Sequence, residues 1–290
     1  MSDVPAPRRV RLSEDELARL LADVPGPGGQ PWRVRVVDSA GSTNADLVAR
    51  VRAAESAGTS GEAPGQGGLA GEVLVAEEQK AGRGRLGRTW TAPARSALTF
   101  SAVLHPGDGV ADWGWLPLLV GVAVADAVRS ETGVPVGLKW PNDLVLPDAD
   151  ADADRKLGGV LVERVGGAAV VGVGLNVSLT VEELPVPTAT SLLLAGAGEV
   201  AREPLLVAGL AALAGWDGRW QAVGGDAGAS GLHTAYVQRC VTLGRAVAVH
   251  LPGGGETRGT AVAVDPDGQL VLDTGQGRHP VAAGDVWHVR

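Results

Sequence analysis

Lysine is almost missing from this chain. Of 290 residues only Lys80, Lys139 and Lys156 are lysine, against 22 arginines, so each survivor is a candidate for work that a compact ammonium does and a planar guanidinium does not. Cysteine is scarcer still. Cys240 stands alone, which excludes an internal disulfide and a cysteine-based metal site and fits a reducing cytosol. Net positive charge is absent as well, and a formal charge of −8 argues against bulk nucleic-acid binding, because neutralising phosphates needs a basic surface. No stretch approaches the roughly 18 unbroken apolar residues of a membrane span, and the N-terminus has no signal-peptide apolar segment. A cytoplasmic protein without membrane attachment is therefore expected.

What is present is an ordinary globular composition, 45% hydrophobic and 20% charged, enough for one large core and a smaller one. Residues 1–12 read as a loose arm. Ser13-Glu14-Asp15-Glu16 is a capping box that opens a short helix with Leu17, Leu20, Leu21 and Val24 on one face. This leaves room for one helix before the next segment, too little for a helix-turn-helix reader. A strand is expected at 32–37, a helix capped by Ser42, Thr43 and Asn44 through about 55, a flexible loop at 58–71, and strands at 72–77 and 97–104. Residues 113–132 form the longest apolar helical pattern and stop at Gly133. Short strands are expected at 136–140, 143–146, 157–164 and 168–177, and helices at 203–221 and 232–239. From 243 onward the pattern is purely short strands and turns, at 246–251, 257–264, 269–273 and 278–289. That reads as a small β-barrel with its own core. The divisions expected are an N-terminal arm and helix at 1–28, a main domain at 29–240 and the barrel at 241–290.

Three segments are candidates for chemistry, and a fourth only resembles one. Gly82-Arg83-Gly84-Arg85-Leu86-Gly87-Arg88 has three glycines that permit close backbone approach and three arginines spaced to converge on an anion, for which phosphate is the natural guest. It lacks the Gly-Lys-Ser/Thr ending of a P-loop. Gly/Arg repeats also occur in disordered RNA-binding tails, but this one is a single copy between predicted strands in an acidic chain. Lys139-Trp140-Pro141-Asn142-Asp143 reads either as a hairpin turn or as a lysine followed by a carboxylate able to hold Mg²⁺ on a phosphate or take a proton from an amine. The strand at 171–177 carries two glycines and ends near Asn176, consistent with a ligand lying on its backbone or with a bulge. The acidic repeat at 147–155 resembles a calcium loop superficially. Its sixth position from Asp148 is Ala153 and its twelfth is Gly159, where Gly and Glu are needed, so it reads as a solvated hairpin tip.

Taken in order, Gly41-Ser-Thr-Asn-Ala45, Gln79-Lys-Ala-Gly-Arg-Gly-Arg-Leu-Gly-Arg-Thr-Trp90, Lys139-Trp-Pro-Asn-Asp-Leu144, Lys156-Leu-Gly-Gly-Val-Leu-Val-Glu163, the Gly-Val-Gly-Leu-Asn-Val stretch ending at Val177, and Thr190-Ser-Leu192 resemble the biotin protein ligases. The resemblance runs from about residue 32 to the C-terminus and is closest to the monofunctional form, which lacks a DNA-binding domain. It implies an α+β fold, a mixed sheet with packed helices of the class II aminoacyl-tRNA synthetase and biotin ligase type, followed by an SH3-like barrel. It implies a ligase that activates biotin with ATP to biotinoyl-AMP, releases pyrophosphate, and passes biotin to a lysine of the carrier protein or carrier domain of biotin-dependent carboxylases, with Mg²⁺ as cofactor and no DNA partner.

The same resemblance assigns roles. Ser42, Thr43, Asn44, Gln79, Gly82 and Gly159 would line the biotin site. Arg83 and Arg85 would order the loop over biotin and phosphates, and Arg88 would lie near pyrophosphate or the adenylate. Trp90 would stack on adenine, Lys139 and Asn142 would face the nucleotide, and Asn176 would contact it. Lys156 would polarise the biotinyl carboxylate, and Asp143 would position metal or the acceptor amine. The catalytic set is thus Lys156, Arg85, Lys139 and Asp143, and residues 243–290 contribute nothing to it. The chain departs from the family at Leu86, where the better-known loop carries another arginine, so one cation is lost. Two other readings are lipoate–protein ligase, which needs a longer apolar acyl slot, and a non-enzymatic anion- or nucleic-acid-binding module built on the arginine loop.

Overall fold

The computed structural model describes residues 7–57, 69–110, 113–147, 154–251 and 253–288. Most of the 58–71 loop and the acidic repeat over 148–153 lie outside them. Helix α1 (Glu14–Leu21) starts where the capping box predicts, with the Ser13 hydroxyl accepting from the Glu16 N–H at 3.3 Å. Strand β1 (Arg33–Val37) leads to α2 (Thr43–Ser56), capped by Ser42 through the Ala45 N–H. After β2 (Glu72–Ala76) the Gly/Arg segment folds into a tiny hairpin, β3 (Gly82–Arg83) and β4 (Thr89–Trp90). Strand β5 (Ala97–Leu104) precedes the core helix α3 (Leu116–Thr132), which ends on a left-handed Gly133. Then come β6 (Gly137–Lys139), β7 (Asp143–Leu146), β8 (Arg155–Val165), β9 (Ala168–Asn176), α4 (Arg202–Ala222) and α5 (Leu232–Val237).

The fold is α+β. Strands β1 to β9, without the small hairpin, form one seven-stranded sheet in the order β1-β2-β5-β9-β8-β7-β6, parallel only between β1 and β2. Side chains alternate between its faces. From β5, Leu98, Phe100, Ala102 and Leu104 join the core packed on α3, and from β9 so do Ala169, Val171, Val173 and Leu175. On the opposite face Val103 and Val170 pack against Leu47, Val48 and Val51 of α2. Further along these two strands the same face carries Thr99, Ser101, Gly172 and Gly174. The polar and side-chain-free positions thus leave a hollow beside the N-terminus of α2.

A shift of register between Leu144 and Val145 shapes this face further. Leu144 pairs with Gly158 but Val145 pairs with Lys156, so one residue of β8 bulges out. Leu157 and Val160, an odd number of positions apart, therefore both face the core, and Lys156 turns to the same face as Gly159 and Leu161.

The C-terminal strands β10 (Ala246–His250), β11 (Glu256–Val264), β12 (Leu270–Asp273), β13 (Arg278–Val281) and β14 (Asp285–His288) form an antiparallel sheet in the order β13-β12-β11-β10-β14. The expected single strand at 278–289 is two, because β13 lies at one edge beside β12 and the chain then crosses to the other edge as β14 beside β10. The expectation of a separate core also fails. Val247, Val249, Ala261, Leu270 and Val286 belong to the same continuous apolar cluster as α3. The indoles of Trp115 and Trp140 donate to the carbonyls of Pro266 and Gly268 at 2.6 and 3.0 Å, and the Trp140 N–H donates to Thr242 Oγ1 at 3.0 Å. Two large indoles need acceptors when buried, and here the barrel provides them.

Residues 7–12, expected as a loose arm, are pinned. Arg9 pairs with Glu183, Leu12 is fully buried, and the Leu12 N–H donates to Glu77 at 2.6 Å. Glu77 is itself buried against Arg202 at 2.7 Å, and Arg202 also donates to the carbonyls of Ala97 and Val10. This one buried pair ties the N-terminal segment, β2, β5 and α4 together. A second buried carboxylate, Asp217 of α4, accepts from Gln221 on one oxygen, while the other meets no partner among the described residues. Burial pushes its pKa up to about 6, against the opposing effect of Gln221. Stability from this group is complete below the unfolded value near 4 and lost as pH rises through about 6. Asp217→Asn should therefore melt higher than the parent at pH 7.5, by on the order of 2 kcal/mol, with the difference vanishing near pH 4 in thermal melts.

Candidate active site

Register across the sheet sets out the site. Lys139 pairs with Asp143, Asp143 with Gly159, Gly159 with Gly174 and Gly174 with Thr99, so five strands contribute to one row. The next row runs Leu161, Gly172, Ser101. Both rows lie in the wall of a cavity of about 630 Å³, roofed by the Gly/Arg loop. The two strand glycines are taken up by protein groups, since a Cβ at Gly172 would overlap the Asn44 amide and one at Gly174 would overlap the Trp90 indole. The expectation that a ligand lies on these glycines is replaced by a tighter arrangement, in which they admit the two side chains that shape the cavity.

One end of the cavity is polar and formally uncharged. The Thr43 N–H and hydroxyl both lie within reach of Gln79 Oε1, at 2.8 and 3.1 Å. Ser101 Oγ is 2.8 Å from Thr43 Oγ1 and 2.6 Å from Asn44 Oδ1. Ser42, Thr43, Asn44 and Ser101 are all buried. The middle is apolar, with Leu161 and Trp90. The opposite end gathers charge. Lys156 Nζ donates to Asp143 Oδ1 at 2.6 Å, Arg85 reaches Asn142 Oδ1 at 3.4 Å, and Arg88 pairs with Asp285. Asn142 is fixed from behind, where its Nδ2 donates to the Val160 carbonyl at 2.8 Å and its own carbonyl accepts from the Val160 N–H. Burial lowers the pKa of Lys139, with Asp143 and Asp154 opposing. Burial likewise lowers that of Arg85, against Asp285 and Asp143. Both cations are thus held in a place that partly resists charge.

Of the residues singled out from sequence, Ser42, Thr43, Asn44, Gln79, Arg83, Arg85, Arg88, Trp90, Lys139, Asn142, Asp143, Lys156 and Gly159 line this cavity. Two do not. Gly82 lines a neighbouring cavity of about 740 Å³ on the other side of the arginine loop, together with Leu86. Asn176 is buried at the end of β9, where its amide donates to the Thr190 carbonyl at 2.8 Å and its carbonyl accepts from the Leu192 N–H. It secures the segment whose Thr188 and Thr190 backbone bridges Lys156, so it reaches the site only through that strap. Lys80 is an exposed surface residue.

Residues 68–179 match the Biotin/lipoate A/B protein ligase family, and residues 242–289 match the Biotin protein ligase C terminal domain. The chain is 40% identical over 287 residues to the biotin--[acetyl-CoA-carboxylase] ligase of Mycobacterium tuberculosis, covering 97% of this chain and 98% of that protein. The chain belongs to the biotin protein ligase family. It is also 30% identical to the ligase of Paracoccus denitrificans, over 76% of this chain and 92% of that one. The structure of the Aquifex aeolicus biotin protein ligase in complex with biotin and ATP superposes with a TM-score of 0.70 at 25% identity, covering 89% of this chain and 98% of that one.

Several residues of this ligase cavity escaped the sequence reading. Thr99 and Ser101 alternate within an otherwise apolar strand, a period-2 signal that marks one polar patch on a buried face. Asp154, Asp285 and Trp287 also line the cavity, and nothing local in sequence marks them. Asp154 is held by Arg245 of the barrel at 2.9 and 3.1 Å. The barrel, which holds none of the residues assigned from sequence, supplies part of the wall. Because Lys156 sits at 2.6 Å from Asp143 on a bulge that aims a point charge, Lys156→Arg should lower ligase turnover ~100-fold with the fold intact. Steady-state turnover with circular dichroism checks this, and a near-normal rate would make Lys156 an ordinary strand residue.

Proposed function

We propose that this chain activates biotin with ATP to biotinoyl-AMP and then transfers biotin to a lysine of a carboxylase carrier domain. The observation that carries the reading is the order of polarity along the cavity, from a neutral hydrogen-bonding end through an apolar middle to a cationic end. Biotin has the same order, with a ureido ring, a thioether ring and valeryl chain, and a carboxylate. The sulfur-containing ring of lipoate has no hydrogen-bonding head to satisfy the buried Thr43, Asn44 and Ser101, so the polar end favours biotin over the lipoate alternative.

In the first step a biotin carboxylate oxygen bonds to the α-phosphorus of ATP, the bond from that phosphorus to the β-phosphate bridge breaks, and pyrophosphate leaves. Two anions must meet, and their repulsion is reduced by fixed positive charge in a partly dehydrated site. Lys156 faces the junction and polarises the carboxylate and the α-phosphate oxygen, while Lys139, Arg83, Arg85 and Arg88 face the phosphates. Trp90, seated on Gly174, offers a face to the adenine. In the second step the carrier amine attacks the acyl carbon, the acyl–oxygen bond breaks and AMP leaves. Asp143 stands within reach to take the amine proton once ligand binding loosens its pair with Lys156.

Mg²⁺ fits as an ion carried by the triphosphate. Among the described residues no three His, Cys, Asp or Glu side chains converge on one point, and a phosphate-borne Mg²⁺ needs only one or two protein carboxylates, of which Asp143 would supply one. When bound, the ion neutralises phosphate charge. An acceptor carrier protein, a cytoplasmic setting and the absence of a DNA partner complete the proposal.

Pyrophosphate release that depends on added biotin tests the reading directly, and release driven equally by lipoate would overturn it. In the same assay Arg85→Gly should still form adenylate but hold it about tenfold less tightly, the cost of one charge-assisted contact, and so label bystander amines. No excess of free adenylate would remove Arg85 from retention. Truncation after Cys240 removes Arg245, Asp285 and Trp287 and uncovers Trp140, so it should depress adenylation as well as transfer, and an unaltered adenylation rate would show that the barrel wall is dispensable.

A further inference from the structure

Asn44 sits at the polar end of the cavity with its side chain fully committed. Its Nδ2 lies 3.0 Å from Glu163 Oε2 and 3.3 Å from the Leu161 carbonyl, and its Oδ1 lies 2.6 Å from Ser101 Oγ. An amide's oxygen and nitrogen are exchanged by rotating the group through half a turn, so its polarity is set by its neighbours. Here the neighbours leave no choice. A carboxylate and a carbonyl only accept, so both demand the NH₂ group, and the oxygen is driven toward Ser101 and the cavity. Gly172 makes the pose possible, since any side chain there would overlap Asn44 Oδ1.

Gln79 is fixed by the same logic on the other side. Its Oε1 accepts from the Thr43 backbone N–H at 2.8 Å, a donor that has no alternative role. With both amides oriented, Thr43 Oγ1, Ser101 Oγ and Asn44 Oδ1 form a cluster of oxygens within 2.8 Å of one another in turn, holding too few protons to satisfy all its lone pairs. Such a cluster selects a ligand end that brings N–H donors, as a ureido ring does. Glu163 has no place in the cavity wall and lines the neighbouring cavity instead. Among the described residues it is nonetheless the one carboxyl group that hydrogen-bonds Asn44.

We propose that Glu163 is a positioning residue for biotin recognition, acting through Asn44 by fixing which end of that amide faces the ligand. The inference rests on biotin being the acid bound here. Its reach is selective. Glu163 belongs to the polar end, whereas the nucleotide end is governed by the arginine loop, Lys139 and Lys156, so loss of Glu163 should affect biotin and leave ATP alone.

The test uses the full-length protein and two variants. Glu163→Gln keeps an acceptor oxygen at the same reach and should retain a biotin KM within about threefold of the parent. Glu163→Leu has similar bulk and no acceptor, and should raise the biotin KM about tenfold or more while the ATP KM and the rate at saturating biotin stay near the parent's. Desthiobiotin, which keeps the ureido ring and lacks the sulfur, should lose in parallel with biotin. Circular dichroism and thermal melting establish that both variants are folded. A parent without biotin-dependent pyrophosphate release would defeat the functional reading itself. A working parent whose Leu variant has an unchanged biotin KM would overturn the role of Glu163, as would equal losses in biotin and ATP KM, or a Gln variant as impaired as the Leu variant. Should Glu163→Leu fail to fold, Ser101→Ala, which removes the hydroxyl on the other side of Asn44, must raise the biotin KM selectively for the inference to stand.

Discussion

Positive charge cannot be concentrated in a half-buried cavity without something to hold it there. Like charges repel and burial penalises each of them, so each cation needs a counter-group close by. This constraint organises much of the molecule. Lys156 leans on Asp143, Arg88 on Asp285, and Arg85 on the Asn142 amide. Lys139 lies in the field of Asp143 and Asp154. Asp154, nearly closed off from solvent, is in turn held by Arg245. The barrel is drawn into the site because two of these pairs bridge it to the main sheet, one with the acid on the barrel and one with the base there. In the proposed reaction a triphosphate entering this site would meet cations already oriented and would exchange their carboxylate partners for phosphate oxygens.

The elements that read clearly from sequence were those set by local rules. Caps and periodicity located α1, α2 and α3 to within a few residues, since Ser13, Ser42 and Gly133 act on their own turns. The site was legible where motif residues share a cross-strand row, because Lys139, Asp143 and Gly159 are neighbours by pairing. What could not be read depends on partners distant in the chain. Asn176 sits beside a glycine pair and looks like a ligand group, yet a strap from residues 188–192 covers it. Asp285 and Arg245 are ordinary surface charges until the barrel docks. The separate-core expectation failed for the same reason, as the indoles of Trp115 and Trp140 find their acceptors 128 or more residues away.

Leu86 illustrates how a local departure is absorbed. It occupies a left-handed backbone conformation, unusual for a branched side chain, and remains exposed at the tip of the loop. It lines the neighbouring cavity and not the one that holds Lys139, Asp143 and Lys156, which the arginines on either side of it still line.

The bulge in β8 gives the site an unusual kind of dependence on sequence. Lys156 faces the cavity because one extra residue interrupts the strict alternation between it and Gly159. The position of the Lys156 ammonium is thus set by a bulge in the backbone, and no single side chain in the intervening stretch carries that information. Were the strand regular over these same residues, strict alternation would turn the lysine into the apolar core and bring Leu157 into its place. Across relatives with a stretch of this length, the bulge should be held as firmly as the lysine itself, even where the residues within it are free to change.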